Sequence, residues 1–119
     1  MPTTSFTQLE VWKKARILTR TVYRLTEYFP RHQQFTLTAQ MQRAVLSIGA
    51  NIAEGYGRRT PKDKAYFYTV SKGSAEELQH YLIISEDLGY SRGDPEMMQD
   101  LGEVGGMLRR LTQRTLGEI

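Results

Sequence analysis

The densest group of side chains that could do chemistry lies between residues 58 and 64. Four cations fall within these positions: Arg58, Arg59, Lys62 and Lys64. Guanidinium and ammonium groups this close together can neutralise several phosphates, so they are a candidate contact for RNA or DNA. Asp63 offsets their charge only in part, and Tyr56, between two glycines, is the best candidate for an exposed aromatic that stacks on a base. The alternative is an ordinary solvated corner.

A second basic group follows helical spacing. Its members are Lys13, Arg16, Arg20 and Arg24. Steps of three and four residues place them along one side of a helix. Such a row is commonly a solvated face, and the alternative is that it extends a nucleic-acid contact.

A third group consists of polar residues inside otherwise apolar segments. They are Arg43, Asn51, Glu54, Ser74 and Glu77. At about 100° per residue, Ser74 and Glu77 fall within the apolar arc of their own segment. Buried polar groups must be paired, so we expect a structural network between two helices, in which Glu77 accepts hydrogen bonds from its neighbours. A functional constellation is the alternative.

Few residues support catalysis. The absence of cysteine excludes disulfides, zinc–thiolate sites, iron–sulfur clusters and thiol catalysis. Glu77 and His80 have the spacing of one di-iron ligand pair, but such a site needs a second pair and two more glutamates. No nucleophile–base pair and no phosphate-binding glycine loop is recognisable. We therefore expect no enzyme, no cofactor and no metal.

The charge is unevenly distributed along the chain. Residues 1–75 carry twelve Lys and Arg against four Asp and Glu, whereas residues 76–119 carry four against nine. This separation favours an anionic partner or complementary contacts between subunits, and both remain open. No apolar run is long enough to span a membrane, and the first residues lack a secretory pattern. We expect a cytoplasmic protein without membrane contact.

Four amphipathic segments must position these groups. They cover about 7–28, 37–55, 61–88 and 95–116, and short breaks containing Pro or Gly separate them. Breaks this short make consecutive helices antiparallel neighbours. The predicted fold is all-α, a single domain over 1–119 built as an up-down-up-down antiparallel four-helix bundle.

Small residues set the expectations for the second helix. Gly49, Ala50 and Ala53 should let a neighbouring helix approach closely. Gly55 and Gly57 should adopt positive φ and end the helix.

The third and fourth helices show different patterns. Val70, Tyr81 and Leu88 mark the expected centre of the third helix's apolar face. The fourth contains three glycines, each of which costs about 1 kcal/mol relative to alanine, so we expect it to be the least stable.

Several motifs resemble those of a known family. They are Ser47-Ile48, Asn51-Ile52-Ala53-Glu54-Gly55, Gly73-Ser74 and Glu77-Leu78, with supporting matches at 9–15, 29–30, 37–44 and 88–90. In order and spacing they resemble the four-helix bundle proteins encoded by intervening sequences of 23S ribosomal RNA genes. The resemblance implies a homopentamer without established enzymatic activity. A more distant similarity, to the accessory protein of diversity-generating retroelements, implies contact with nucleic acid.

The expected function is therefore that of a non-enzymatic homo-oligomer whose basic surface contacts RNA or DNA. The alternative is a protein-interaction scaffold with no nucleic-acid role.

Overall fold

A computed structural model describes residues 5–119, which form four long α-helices and no strand. The helices are α1 (Glu10–Thr26), α2 (Leu37–Gly57), α3 (Pro61–Asp87) and α4 (Pro95–Thr115). Short 3₁₀ turns at Phe6–Gln8 and Arg31–Gln33 precede α1 and α2. The all-α prediction is confirmed. None of the helices in this range combines the length and the apolar character needed to cross a bilayer.

The helix boundaries follow from local chemistry. Thr60 and Asp94 each cap a helix by accepting a hydrogen bond from the backbone N–H three residues later, at 3.1 and 2.9 Å. A proline follows each cap at the first helical position, where its missing N–H costs nothing. Gly89, with φ of +78°, lets the chain leave α3.

The end of α2 differs from the expectation. The helix continues through Gly57, and the chain leaves it at Arg58, which is extended. Within residues 5–119 positive φ occurs at Gly89, Gly93 and Gly117 instead. Gly55 is buried, and a Cβ there would lie 2.8 Å from Cε1 of Tyr68. Its missing side chain therefore serves packing between α2 and α3, not a turn.

The four helices pack as an antiparallel bundle with extents of 44 × 23 × 21 Å. α2 lies against α1 and α3, and α4 lies against α3 and α1. In the described chain α1 and α3 are not adjacent helices, so they occupy diagonal corners. This is the predicted up-down-up-down arrangement.

Apolar residues that recur every three or four positions along α1, α2 and α4 form most of the core. It contains Val11, Ala15, Leu18 and Val22, Met41, Ala44, Ile48 and Ile52, and Met97, Leu101, Val104 and Leu108. The predicted face of α3 is wrong. Its buried centre lies at Ala75, Leu78 and Leu82, while Leu88 is exposed. Because α3 contacts both α2 and α4, its apolar positions spread around two faces and no single stripe marks its centre.

Candidate nucleic-acid interface

The link between α2 and α3 gathers the first basic group at one corner of the bundle. Arg59 and Lys62 are exposed and form no salt bridge within the described part of the chain. Arg58 pairs through Nη2 with Oε1 of Glu54, 3.3 Å away, and its guanidinium lies 4.6 Å from the centre of the Phe67 ring. The corner therefore presents two outward cations and a third that is partly neutralised.

Lys64 differs from the other three. Its ammonium group turns back and donates to the backbone carbonyl of Tyr56, and it lies 5.4 Å from the centre of the Tyr56 ring. A cation on the last carbonyls of a helix stabilises that end of the helix. Lys64 therefore holds the end of α2, which limits its part in binding a ligand.

The exposed aromatic at this corner is Tyr66. Tyr56, the expected candidate, is half-buried beneath Lys64. Tyr66 is 62% exposed, and its ring meets the Phe67 ring edge-on at 5.1 Å and 86°. The sequence pattern did not single out Tyr66, although one signal pointed to it. Tyr66 follows Lys62 by four residues and therefore shares its side of α3.

The second basic group lies on the outer side of α1, as its spacing predicts. Lys13, Arg16, Arg20 and Arg24 are all exposed. Lys13 pairs with Glu10 at 3.2 Å, and the Arg16 guanidinium lies 5.8 Å from the centre of the Trp12 ring. Because α1 and α3 are diagonal, one protomer does not join this row to the Lys62 side of the corner in a single surface.

A groove of about 530 Å³ separates part of this row from α2. Its lining is Trp12, Ala15, Arg16, Thr19, Arg20, Gly49 and Ala50. A Cβ at Gly49 would lie 3.6 Å from Nε1 of Trp12, an ordinary van der Waals distance, so α1 packs against this position without requiring a glycine there. Ala50 is exposed and Leu46, one turn earlier, is 50% exposed. α1 therefore covers α2 at Gly49, and the strip of α2 at Ala50 and Leu46 is left uncovered.

The end of the bundle that carries the α2–α3 corner also carries Arg110 and Arg114 of α4, and we call it the basic end. Nε2 of Gln79 donates to the carbonyl of Met98 at 3.4 Å, which fixes the level of α3 against α4. Because α3 and α4 run antiparallel, residues before Gln79 on α3 lie beside residues after Met98 on α4. Lys62, near the start of α3, is therefore level with the end of α4. There Arg110 and Arg114 line a cleft of about 400 Å³ with Gln8, Leu9, Glu10, Val11, Met107 and Leu111.

Acidic side chains gather at the other end of the bundle. Where α3 ends and α4 begins, they are Glu86, Asp87, Asp94 and Glu96. The uneven distribution of charge along the sequence thus becomes an uneven distribution of charge along the long axis of the bundle.

The predicted polar network forms only in part. Oγ of Ser47 and Oγ of Ser74 are 2.8 Å apart, and Nδ2 of Asn51 donates to Oγ of Ser47 at 2.9 Å. Oγ of Ser71 donates to the carbonyl of Ile48 at 2.7 Å. Ser47 thus joins Asn51 to Ser74 between α2 and α3. That this group fixes the register of the two helices stays a prediction.

Three residues of the predicted polar network lie outside this hydrogen-bonded group: Glu77, Arg43 and Glu54. Glu77 is exposed, so the expectation of a buried carboxylate is wrong; it followed from the misplaced face of α3. Burial, together with the charge of Glu77 and a hydrogen bond to it, raises the pKa of Tyr81, and the charge of Arg43 opposes this shift. Glu54 pairs with Arg58. Glu77 and Arg43 therefore act on Tyr81 with opposite signs, and Glu54 lies at the α2–α3 corner.

The buried hydroxyl groups are used by the fold. Those of Ser71, Ser85 and Thr26 donate to the backbone carbonyls of Ile48, Leu82 and Val22. Across residues 5–119 no three His, Cys, Asp or Glu side chains come together in a way that could hold a metal ion. The arrangement offers cationic contacts and a polar joint between helices.

Comparisons with known proteins agree with this architecture. The family described as 23S rRNA-intervening sequence protein matches the chain over residues 7–110. A similar solved structure is the crystal structure of a protein with unknown function from the S23 ribosomal protein family of Bacteroides thetaiotaomicron. It is 21% identical, with a TM-score of 0.76 over 87% of this chain and 98% of that one, a likeness that shows the fold. A search of the curated proteins finds no match.

Proposed function

Because the chain belongs to the 23S rRNA-intervening sequence protein family, and this membership indicates a fold and not an activity, we propose a function from the surface of the bundle. The protein is a non-enzymatic homo-oligomer that binds RNA or DNA at the basic end of its bundle. The basic end is defined by Arg58, Arg59 and Lys62 at the α2–α3 corner and by Arg110 and Arg114 of α4.

The observation that carries this proposal is the convergence of exposed cations from separate helices at one end. Arg59 and Lys62 point to solvent without an ion pair in the described residues, and the exposed Arg110 and Arg114 lie level with them across the bundle. Each cation that neutralises a phosphate releases a counterion, so affinity should fall steeply as salt rises. Such binding should depend little on base sequence.

The groove between α1 and α2 supports self-association. Its floor of Ala15, Gly49 and Ala50 would let a helix of a second copy approach closely. The half-exposed Leu46 extends this strip along α2. Arg16 and Arg20 line the same groove, so in this proposal they belong to subunit contacts and only Lys13 and Arg24 of the α1 row stay outside the groove lining. By the family resemblance the oligomer is a pentamer, and a ring would repeat the basic end and add avidity.

The groove is also what favours the second candidate function, a protein-interaction scaffold. A different protein seated there would use the same apolar strip and need no nucleic acid. Capture of that protein by the intact chain, unchanged by nuclease treatment, would support the scaffold.

Charge-reversal variants at the two ends of the bundle test the nucleic-acid proposal. The double variant Arg59→Glu and Lys62→Glu should weaken binding of a labelled RNA by roughly tenfold or more and flatten its dependence on salt. The control, Arg31→Glu and Arg92→Glu, makes the same change in net charge at the opposite end and should retain most of the affinity. Fluorescence anisotropy over a salt series measures both. Equal losses in the two variants, or no binding by the parent near 0.15 M salt, would refute the proposal.

A further inference from the structure

A continuous cation–aromatic group lies at the basic end. The Arg58 guanidinium covers the Phe67 ring at 4.6 Å, and the Phe67 ring meets the Tyr66 ring edge-on at 5.1 Å. Arg58 is itself held by Glu54. Phe67 is half-buried, so it braces Tyr66 from the protein side. The outermost ring of the group, Tyr66, is 62% exposed.

Tyr66 lies beside the cations that would hold phosphates. Lys62 precedes it by one turn of α3, and residues four apart on a helix are surface neighbours. Arg59 begins the same corner. An aromatic ring with cations one turn away is the arrangement by which single-strand binding proteins stack a base while the neighbouring phosphates are neutralised.

Exposure of an aromatic ring alone would not distinguish Tyr66. Tyr28 and Phe35 are more exposed, at 84% and 86%. They follow α1 and precede α2, at the end of the bundle opposite the α2–α3 corner. Tyr66 differs from both in its contact with Phe67 and in its place one turn from Lys62, which forms no salt bridge within residues 5–119.

The geometry points to Tyr66 as a stacking platform for an unpaired base, which makes single-stranded nucleic acid the ligand of the basic end. This inference rests on the proposed function and narrows it. In a duplex each base face already stacks on its neighbours, so a ring on the protein surface has no free face to meet. A single strand offers both a face for Tyr66 and phosphates for the cations, whatever its sequence.

Oligonucleotides with and without bases test the inference directly. The probes are single strands of about 12 nucleotides, within the site sizes of such binders, and matched strands that carry abasic sites but the same phosphates. RNA and DNA versions are titrated against the full chain at a fixed salt concentration, and a duplex of the same length is included. For the parent protein we expect the abasic strand and the duplex to bind more weakly than the intact single strand.

Substitutions at Tyr66 complete the test. Tyr66→Ala should weaken binding of the intact strand by about 5- to 150-fold, the range measured for loss of one stacked base, and should leave the abasic strand unchanged. Tyr66→Phe keeps the ring and should retain the affinity. Tyr28→Ala removes a more exposed ring at the other end and should leave the affinity unchanged. Circular dichroism confirms that each variant is folded.

The outcomes separate this inference from the proposed function. If the parent binds intact, abasic and duplex probes equally, or if Tyr66→Ala loses no affinity while Arg59→Glu with Lys62→Glu does, the stacking role is wrong and the basic contact stands. If the parent binds none of the probes, both are wrong.

Discussion

At Gly55 the backbone of α2 passes so close to α3 that no side chain fits between them. An ideal Cβ would lie 2.8 Å from Cε1 of Tyr68 and 3.1 Å from the carbonyl oxygen of Lys64. The pKa of Tyr68 is raised, mainly by burial and to a lesser extent by the charge of Tyr56. This shift agrees with the position of the Tyr68 ring in the core. This contact sets the separation of the two helices immediately before the basic corner and therefore helps to place Arg58.

Gly55→Ala should destabilise the fold by about 1–3 kcal/mol, because the added methyl must displace a buried ring or the backbone. Gly57→Ala is the matched control. It lies in the same helix with open space around its Cβ position, and it should leave stability unchanged or raise it by about 0.5–1 kcal/mol. Urea unfolding followed by circular dichroism measures both. Equal behaviour of the two variants would show that the Tyr68 contact is not restrictive.

At the scale of single elements, α4 combines an ordinary apolar row with three glycines. A Cβ at Gly105 would meet nothing within 4 Å, and one at Gly102 would only reach Nε2 of Gln79 at 4.0 Å. These glycines therefore do not serve a close approach within the described chain, and they leave the backbone of α4 with more freedom to unfold. The expectation that α4 is the least stable helix stays a prediction.

Gly105→Ala should stabilise the protein by about 0.5–1 kcal/mol, since alanine lowers the entropy of the unfolded chain without a clash. The contrasting variant is Gly89→Ala. With φ of +78° at that position, alanine should destabilise the protein by about 1–2 kcal/mol. Thermal unfolding gives the sign of each change, and hydrogen exchange shows whether the gain for Gly105→Ala is concentrated in α4. A loss of stability for Gly105→Ala would indicate that α4 is covered there by another copy.

At the scale of the whole molecule, antiparallel packing converts the charge difference between the two halves of the sequence into a charge difference between the two ends of the bundle. The arginines at 110 and 114 belong to the acidic half of the sequence but lie at the basic end of the bundle. A salt bridge of 3.1 Å between Lys14 and Glu103 joins α1 to α4 part of the way along. In the proposed function, this polarity steers the nucleic acid toward one end of the bundle.

Self-association through the groove between α1 and α2 can be tested with two positions of equal exposure. Leu46 on α2 and Ile83 on α3 are both 50% exposed. Leu46→Lys adds a cation beside a contact that already holds Arg16 and Arg20, and it should reduce the oligomer to single chains because a buried like charge is strongly disfavoured. Ile83→Lys should leave the oligomer intact. Light scattering on the purified proteins reports the mass. Dissociation by Ile83→Lys alone would move the contact to α3.

The sequence by itself determined the number of helices, their limits to within a few residues, and the rows of α1, α2 and α4 that form the core. These features are local. Helical spacing, a cap followed by proline at 60–61 and 94–95, and short breaks act over a few residues, so they can be recognised without knowing the neighbours.

Tertiary structure decided the features that depend on which helix packs against which. It placed Gly55 against Tyr68 and put Glu77 in solvent, because α3 packs on two helices and its own pattern does not show which side is buried. It turned Lys64 inward, left Tyr66 exposed, and brought Arg110 and Arg114 to the end that holds Lys62. A helix fixes only the angles between its side chains; which of them meet another helix is set by the packing of the whole bundle.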